Sequence, residues 1–222
     1  MLINDDFSKP AVFNTDAMEW TPSPLPGVER RMLDRIGGEK VTWSTSIVRY
    51  EKGSRFSAHV HPKGEEFFVL DGVFEDENGA YPAGSYVRNP GGSKHAPFSS
   101  QGCTIFVKLQ QIKSEDQTQL AIDTNLADWE QTEIPGRKIL ELHAFEGERV
   151  YLSSLPPNLQ MDEHVHPGGE EFLVLSGEVW DAERVYPKGC WARLEPGSKH
   201  APASGPEGAK LWVKTGHLAE KV

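Results

Sequence analysis

The chain has 222 residues, 37% hydrophobic and 25% charged, enough for one large domain or two small ones and ordinary for a globular protein. Its 33 acidic and 23 basic residues leave a net charge of −10, which repels phosphate backbones and anionic membrane surfaces and argues against nucleic acid as a direct partner. No apolar run approaches the ~20 residues of a membrane helix, and "MLINDDFSKP" lacks the basic start and apolar stretch of a signal peptide, so a cytoplasmic protein with no membrane partner is expected.

In chain order, the turn-rich "WTPSPLPG" from Trp20 leads into "VERRMLDRIGGE", which could hold a helical turn that Gly37-Gly38 would end. Strand signals then dominate. Valine, isoleucine, threonine and aromatic residues recur in "VTWSTSIVRY" from Val41, "EEFFVLDGVFED" from Glu65, "SYVRN" from Ser85 and "CTIFVKLQQ" from Cys103, between Gly, Pro and Asn punctuation. The segment from Gln111 to Gln131 is polar at its start and has no strong helical period. Beyond it come "RVYLSSL" from Arg149, "EEFLVLSGEVWD" from Glu170 and "KLWVKT" from Lys210. Short strands without helical runs predict an all-β chain, with one antiparallel sandwich or small barrel in each half. Cys103 and Cys190 form no CxxC pair and are expected to be buried free thiols.

The halves repeat. "HVHPKGEEFFVLDG" begins at His59 and "HVHPGGEEFLVLSG" at His164, and the same step of 105 residues carries His61 to His166, Glu65 to Glu170, Gly72 to Gly177, Gly84 to Gly189 and His95 to His200. Upstream, "WTPSPLPG" corresponds to "WEQTEIPG" from Trp129. The predicted boundary lies near Ser114, giving domains 1–113 and 114–222.

His59 and His61, two apart on a strand, project from one face. Pro62-Lys63-Gly64 suits a three-residue hairpin loop with Gly64 in the left-handed position, which would set Glu65 opposite His61. The Pro-Gly-Gly turn before His95 suggests a further hairpin that brings in a fourth group. The candidate metal ligands are therefore His59, His61, Glu65 and His95, and in the second copy His164, His166, Glu170 and His200. One HxH alone would be unremarkable; here six of eight histidines fall at matched positions. Three imidazoles and one carboxylate suit Zn, Fe(II), Mn, Ni or Cu(II) and poorly suit Ca or Mg.

Other residues recur with them. Glu66 and Glu171 should face away from the metal and be solvated or salt-bridged; Arg88, Arg193, Lys94 and Lys199 read as rim charges that could otherwise hold an anion. Phe67, Phe172, Val69 and Val174 share parity with the ligand glutamates and could wall the sites. His143 reads as a structural histidine.

These residues resemble the cupins. Gly53, His59, His61, Glu65 and Gly72 fit the first cupin motif in full, and Gly84, Pro90, Gly92 and His95 fit the second with Ser99 in place of its closing Asn. In the second copy Asn158 replaces the opening Gly, Glu195 replaces the Pro with Pro196 displaced by one, and Ser204 replaces the Asn. More narrowly, "TSIVRYEKGSRFSAHVHP" and "GEEFFVLDGVFEDENGAYPAGSYVRNPGGSKHAPFS" resemble the cupin domain of ChrR-type anti-sigma factors over most of residues 16–111, with a looser echo in 129–215. The resemblance implies two tandem cupin barrels of the double-stranded β-helix, or jelly-roll, type. It also implies a divalent metal, two per chain, zinc first with iron, manganese or nickel as alternatives.

By the same resemblance the role is a metal-dependent sensor or regulatory module of the response to oxidative stress, singlet oxygen in particular, with a regulatory protein partner. Nothing before Trp20 resembles the family's sigma-binding zinc domain. The same ligand set occurs in cupin dioxygenases, which makes a metal-dependent dioxygenase acting on a small diketone or hydroxy-ketone the alternative. A third option binds a sugar or small acid without chemistry. Pairing into a homodimer is compatible with each.

Overall fold

The computed structural model describes residues 1–38 and 40–219, and the chain divides into two compact units: Met1–Asp5 with Glu19–Ala127, and Asp6–Met18 with residues 128–219. Both units are built from antiparallel strands.

In the first unit one sheet runs Leu2–Ile3, Val28–Gly37, Val41–Tyr50, Cys103–Leu109, Glu65–Asp76, Ser85–Asn89 and Leu120–Asp123. A separate two-stranded sheet pairs His59–His61 with Ser93–His95. The second unit repeats this plan as Glu130–Gln131, Lys138–Phe145, Glu148–Leu155, Ala203–Thr215, Glu170–Trp180, Cys190–Leu194 and Ala11–Asn14, with His164–His166 paired to Ser198–His200. Each core is drawn from strands of one large sheet. The first gathers Val28, Tyr50, Phe67, Val69, Phe74, Val87 and Ile105. The second gathers Tyr151, Leu155, Phe172, Val174, Val179, Tyr186 and Leu211.

The stretch that could have begun a helix is a strand, Val28–Gly37, paired along its length with Val41–Tyr50. Gly37, at φ +107, makes the reversal between them, where an added Cβ would meet the Lys40 carbonyl oxygen at 2.6 Å. The glycines therefore turn a hairpin. Partner-strand hydrogen bonds, which no local pattern reveals, decide the conformation.

The compact units are offset from the sequence repeat, which divides near Ser114. Leu120–Asp123 lies beyond that point yet completes the first unit by pairing with Ser85–Asn89. Ala11–Asn14 leads the first copy yet completes the second unit by pairing with Cys190–Leu194. The two are counterparts. Thr15 donates its hydroxyl to the Gly189 carbonyl at 2.7 Å, and Thr124 donates to the Gly84 carbonyl at 2.6 Å, with Gly84 and Gly189 equivalent in the repeat. Each copy thus supplies its leading strand to the other unit, covering a sheet edge that would otherwise present open backbone groups.

Candidate metal centre

Both histidines of each HxH lie on the short strand of the small sheet, and the fourth group comes from the strand opposite, where His95 faces His59 and His200 faces His164 in register. The glutamates arrive differently from the expected hairpin. Glu65 and Glu170 begin the long strands of the large sheets, and neither pairs with its HxH strand. The Pro62-Lys63-Gly64 turn is a corner between sheets: Gly64 has φ +74 and donates its N–H to the His61 carbonyl at 3.1 Å. The Pro-Gly-Gly segment before His95 is a second corner of this kind.

The corners still bring the groups together. In the first unit the Nε2 atoms of His61 and His95 lie 3.0 Å apart, and Glu65 Oε2 is 3.7 Å from His61 Nε2 and 3.4 Å from His95 Nε2. In the second, His200 Nε2 is 3.0 Å from His166 Nε2 and 3.1 Å from His164 Nε2, with Glu170 Oε2 at 3.5 Å from His166 and 3.3 Å from His200. Each histidine triad can place one ligand atom per ring within 4.8 Å of the others. All eight predicted residues therefore converge in two groups of four.

The donor set fits a divalent cation. His59 Nδ1–H donates to the Ser57 carbonyl and His164 Nδ1–H to the Asp162 carbonyl, both at 2.9 Å, which leaves each Nε2 lone pair aimed into its cluster. His95 Nδ1 is likewise held by Asp76 Oδ2 at 3.1 Å. Lone pairs that face one another at 3.0 Å repel unless a cation or a proton lies between them. Glu170 Oε2 is buried without a hydrogen-bond partner, an arrangement that a bound cation would satisfy.

The two centres differ electrically. Burial lowers the His61 pKa, whereas His95 is raised: burial opposes its charge, but the hydrogen bond its Nδ1–H donates to Asp76 and the charge of Glu65 outweigh it. In the second unit burial and neighbouring imidazoles push His166 and His200 down to about 4, and burial pushes Glu170 up to about 8, with Arg137 alone opposing it. Near neutral pH the Glu170 carboxyl is thus protonated beside the neutral imidazoles of His166 and His200, and these three form no ion pair.

The centres also differ in access. A cavity of about 710 Å³ opens onto His164, His166, Glu170 and His200. At the corresponding place in the first unit the rings of Tyr50, Phe56, Phe67, Phe74 and Tyr81 pack on one another, with centroid separations of 4.5 to 6.3 Å. Leu155, Met161 and Val179 stand in the second unit where Tyr50, Phe56 and Phe74 stand in the first. Smaller side chains leave the space.

Of the residues expected to be solvated or at the rim, Glu66, Glu171, Arg88 and Arg193 are buried. Glu66 accepts from Tyr86 Oη at 2.7 Å and from Arg88 at 2.9 Å, and the other arm of Arg88 reaches Asp116 at 2.5 Å. Arg88 is 1% exposed and belongs to an internal network behind the sheet. Glu171 likewise accepts from Trp191 Nε1 at 2.8 Å and lies 3.0 Å from His217, and Arg193 stacks on Phe7 with its guanidinium 4.4 Å from the ring. The salt-bridging reading of the paired glutamates holds; the solvated one does not, since strand alternation turned them away from the metal but into a second packed layer. Lys94 and Lys199 are exposed, Phe67, Phe172, Val69 and Val174 are core, and His143 is buried in Lys138–Phe145 away from both clusters. Arg137 lines the second cavity and was not singled out in the sequence. Comparison of "IPGR" with "LPGV" was the available signal.

Two antiparallel barrels in tandem, each drawing three histidines and a glutamate together from a small sheet and a long strand, define a bicupin with the residues to hold a metal in each half. The chain belongs to the ChrR cupin-like domain family, whose model matches it twice, over residues 8–113 and 117–219. No curated protein matches it significantly in sequence.

Solved structures agree in fold. A candidate dioxygenase from Nostoc punctiforme superposes with a TM-score of 0.80 at 16% identity, covering 96% of this chain and 84% of that one. The Ylba protein of E. coli gives 0.71 at 15% identity, covering 96% and 93%. A variant of Bacillus subtilis oxalate decarboxylase gives 0.64 at 11% identity, covering 92% and 76%. Identities this low speak for the fold alone. Among the described residues no helix is long and apolar enough to cross a membrane.

Proposed function

We propose that the protein is a metal-dependent sensor or regulatory bicupin of an oxidative-stress response, with its two centres divided in labour. In the first barrel His59, His61, Glu65 and His95 hold zinc in a closed site packed by aromatic rings, where the metal stabilises the fold. In the second barrel His164, His166, Glu170 and His200 hold a metal that small molecules can reach, and a bound metal there supplies Lewis acidity and a template for an oxygen-donor ligand. The observation that carries this reading is the pairing of the family match over both halves with a cavity of about 710 Å³ on the second centre.

This chain's own residues do the rest. Carbonyl and carboxylate contacts fix the imidazole orientations, and Phe172, Leu211 and Val213 form an apolar wall that excludes bulk water from the second centre. The same accessible centre favours a second reading as a dioxygenase of a small diketone or hydroxy-ketone. A regulatory protein partner and pairing into a homodimer belong to the sensor reading.

Plasma mass spectrometry of the protein as purified should find about two metal ions per chain, one lost in His61→Ala and one in His166→Ala. Exposure to photogenerated singlet oxygen should release metal from the second centre first, followed with a chromophoric chelator in the two variants. Absence of metal in the unsubstituted chain would refute the site reading. Metal that stays bound under singlet oxygen, together with oxygen uptake on a diketone panel, would replace the sensor by the enzyme.

A further inference from the structure

Arg137 follows the Pro-Gly pair of "IPGR", and its counterpart after the Pro-Gly of "LPGV" is Val28, a core residue 3% exposed. A valine of the first barrel's core is thus an arginine in the wall of the second barrel's cavity. Arg137 is half-buried, donates from Nε to Ser153 Oγ at 3.3 Å, and has the Tyr151 hydroxyl beside it. Among the described residues no carboxylate forms a salt bridge with it, although the chain carries ten more acidic than basic residues. By contrast, Arg149 at the same cavity is held by Glu141 at 2.6 Å.

A guanidinium kept partly out of water, its charge felt by Glu170 but salt-bridged to no carboxylate, suits a carboxylate brought by a ligand, because its planar fork matches the two oxygens. The remaining lining selects the rest of that ligand. Leu155, Met161, Val179 and Leu211 give it an apolar wall, while Glu133, Asp162 and Glu163 also line the cavity and disfavour a second negative charge.

We propose that the second barrel binds a small monocarboxylic acid with an apolar body, its carboxylate on Arg137 and its body against Leu155, Met161 and Val179. This rests on reading the cavity as the ligand-accessible metal centre of the proposed function. It names the class of ligand that centre takes.

The full chain, as purified, is titrated calorimetrically with phenylacetate and with hexanoate, beside phenylacetamide as the uncharged counterpart, and its metal content is measured on the same sample. The expected result is one phenylacetate bound per chain, with phenylacetamide at least tenfold weaker. Arg137→Val should weaken phenylacetate at least tenfold at unchanged metal content, and Arg137→Lys should recover part of the loss. Valine is the residue the first barrel carries there, so the fold should tolerate it. Failure of both acids to bind, equal binding of the amide, or undiminished binding by Arg137→Val would each overturn the proposal. Metal missing from the unsubstituted chain would refute the metal reading instead, and the same titration of the metal-free chain would still decide for or against Arg137.

Discussion

At the scale of single residues, the second centre has a proton balance that a metal must disturb. His166 and His200, at about 4, are neutral near pH 7, while Glu170, at about 8, still carries its proton. A divalent metal needs the carboxylate and must expel that proton. Its association constant at the second centre should therefore rise about tenfold per pH unit up to about pH 8 and then level off, and Glu170→Gln should flatten the rise. Competition against a chromophoric chelator across that range measures both. Without metal the stability signs follow. The Glu170 carboxyl, raised from 4.5, contributes stability present at low pH and lost as pH rises towards 8; the histidines, lowered from 6.5, contribute stability present above that value and lost as pH falls towards 4. Elsewhere the charges are structural. Arg88→Ala would strand the carboxylates of Glu66 and Asp116 in the interior, and a loss of about 3–5 kcal/mol is expected in urea unfolding.

At the scale of elements, the glycines at equivalent turns are not equivalent in constraint. Gly53 has φ +81 with no atom within 4 Å of an added Cβ, and its counterpart Asn158 adopts φ +55, so the second copy's departure from the cupin motif keeps the turn. Asparagine tolerates the left-handed region better than most residues. Gly72 is different: at φ +70 an added Cβ would stand 2.1 Å from the Gly102 carbonyl oxygen, and at Gly177 1.9 Å from that of Gly208. Gly53→Asn should change the unfolding free energy by under about 1 kcal/mol, whereas Gly72→Ala should cost at least about 1–3 kcal/mol from backbone strain before the clash is relieved. Denaturant titration of both variants checks the contrast. The motif glycines, the gathering of three histidines and a glutamate in each half and the strands Val41–Tyr50, Glu65–Asp76 and Ser85–Asn89 were legible because each writes its own pattern into nearby residues. What was not legible depends on partners distant in sequence. Val28–Gly37 is a strand because Val41–Tyr50 lies beside it, Glu66 is buried because Arg88 and Asp116 meet it, and the second cavity opens because three aromatic positions became Leu155, Met161 and Val179.

At the scale of the whole molecule, the exchanged leading strands make the two halves depend on segments outside their own repeat. Val12 pairs with Ala192 and Phe13 with Trp191, and the Phe13 and Trp191 rings stack with centroids 6.3 Å apart, so the edge of the second barrel's sheet is covered by residues from the start of the first copy. A proline within that short strand cannot donate to the ladder and fixes a φ unsuited to it. Val12→Pro should therefore leave the first barrel intact and uncover Cys190–Leu194, which lies between Ala11–Asn14 and the long strand Glu170–Trp180. Hydrogen exchange resolved by peptide is the measurement. Protection should fall at 190–194 and stay unchanged at 44–50. Ala121 occupies the reciprocal place, opposite Val87, and Ala121→Pro should reverse the pattern, exposing Ser85–Asn89 while sparing 190–194. Were each leading strand instead to belong to its own repeat, the two variants would produce the opposite result, with Val12→Pro loosening the first barrel and Ala121→Pro the second. The reciprocal pair thus separates an exchanged bicupin from two independent barrels strung together, and it does so without relying on metal, ligand or activity.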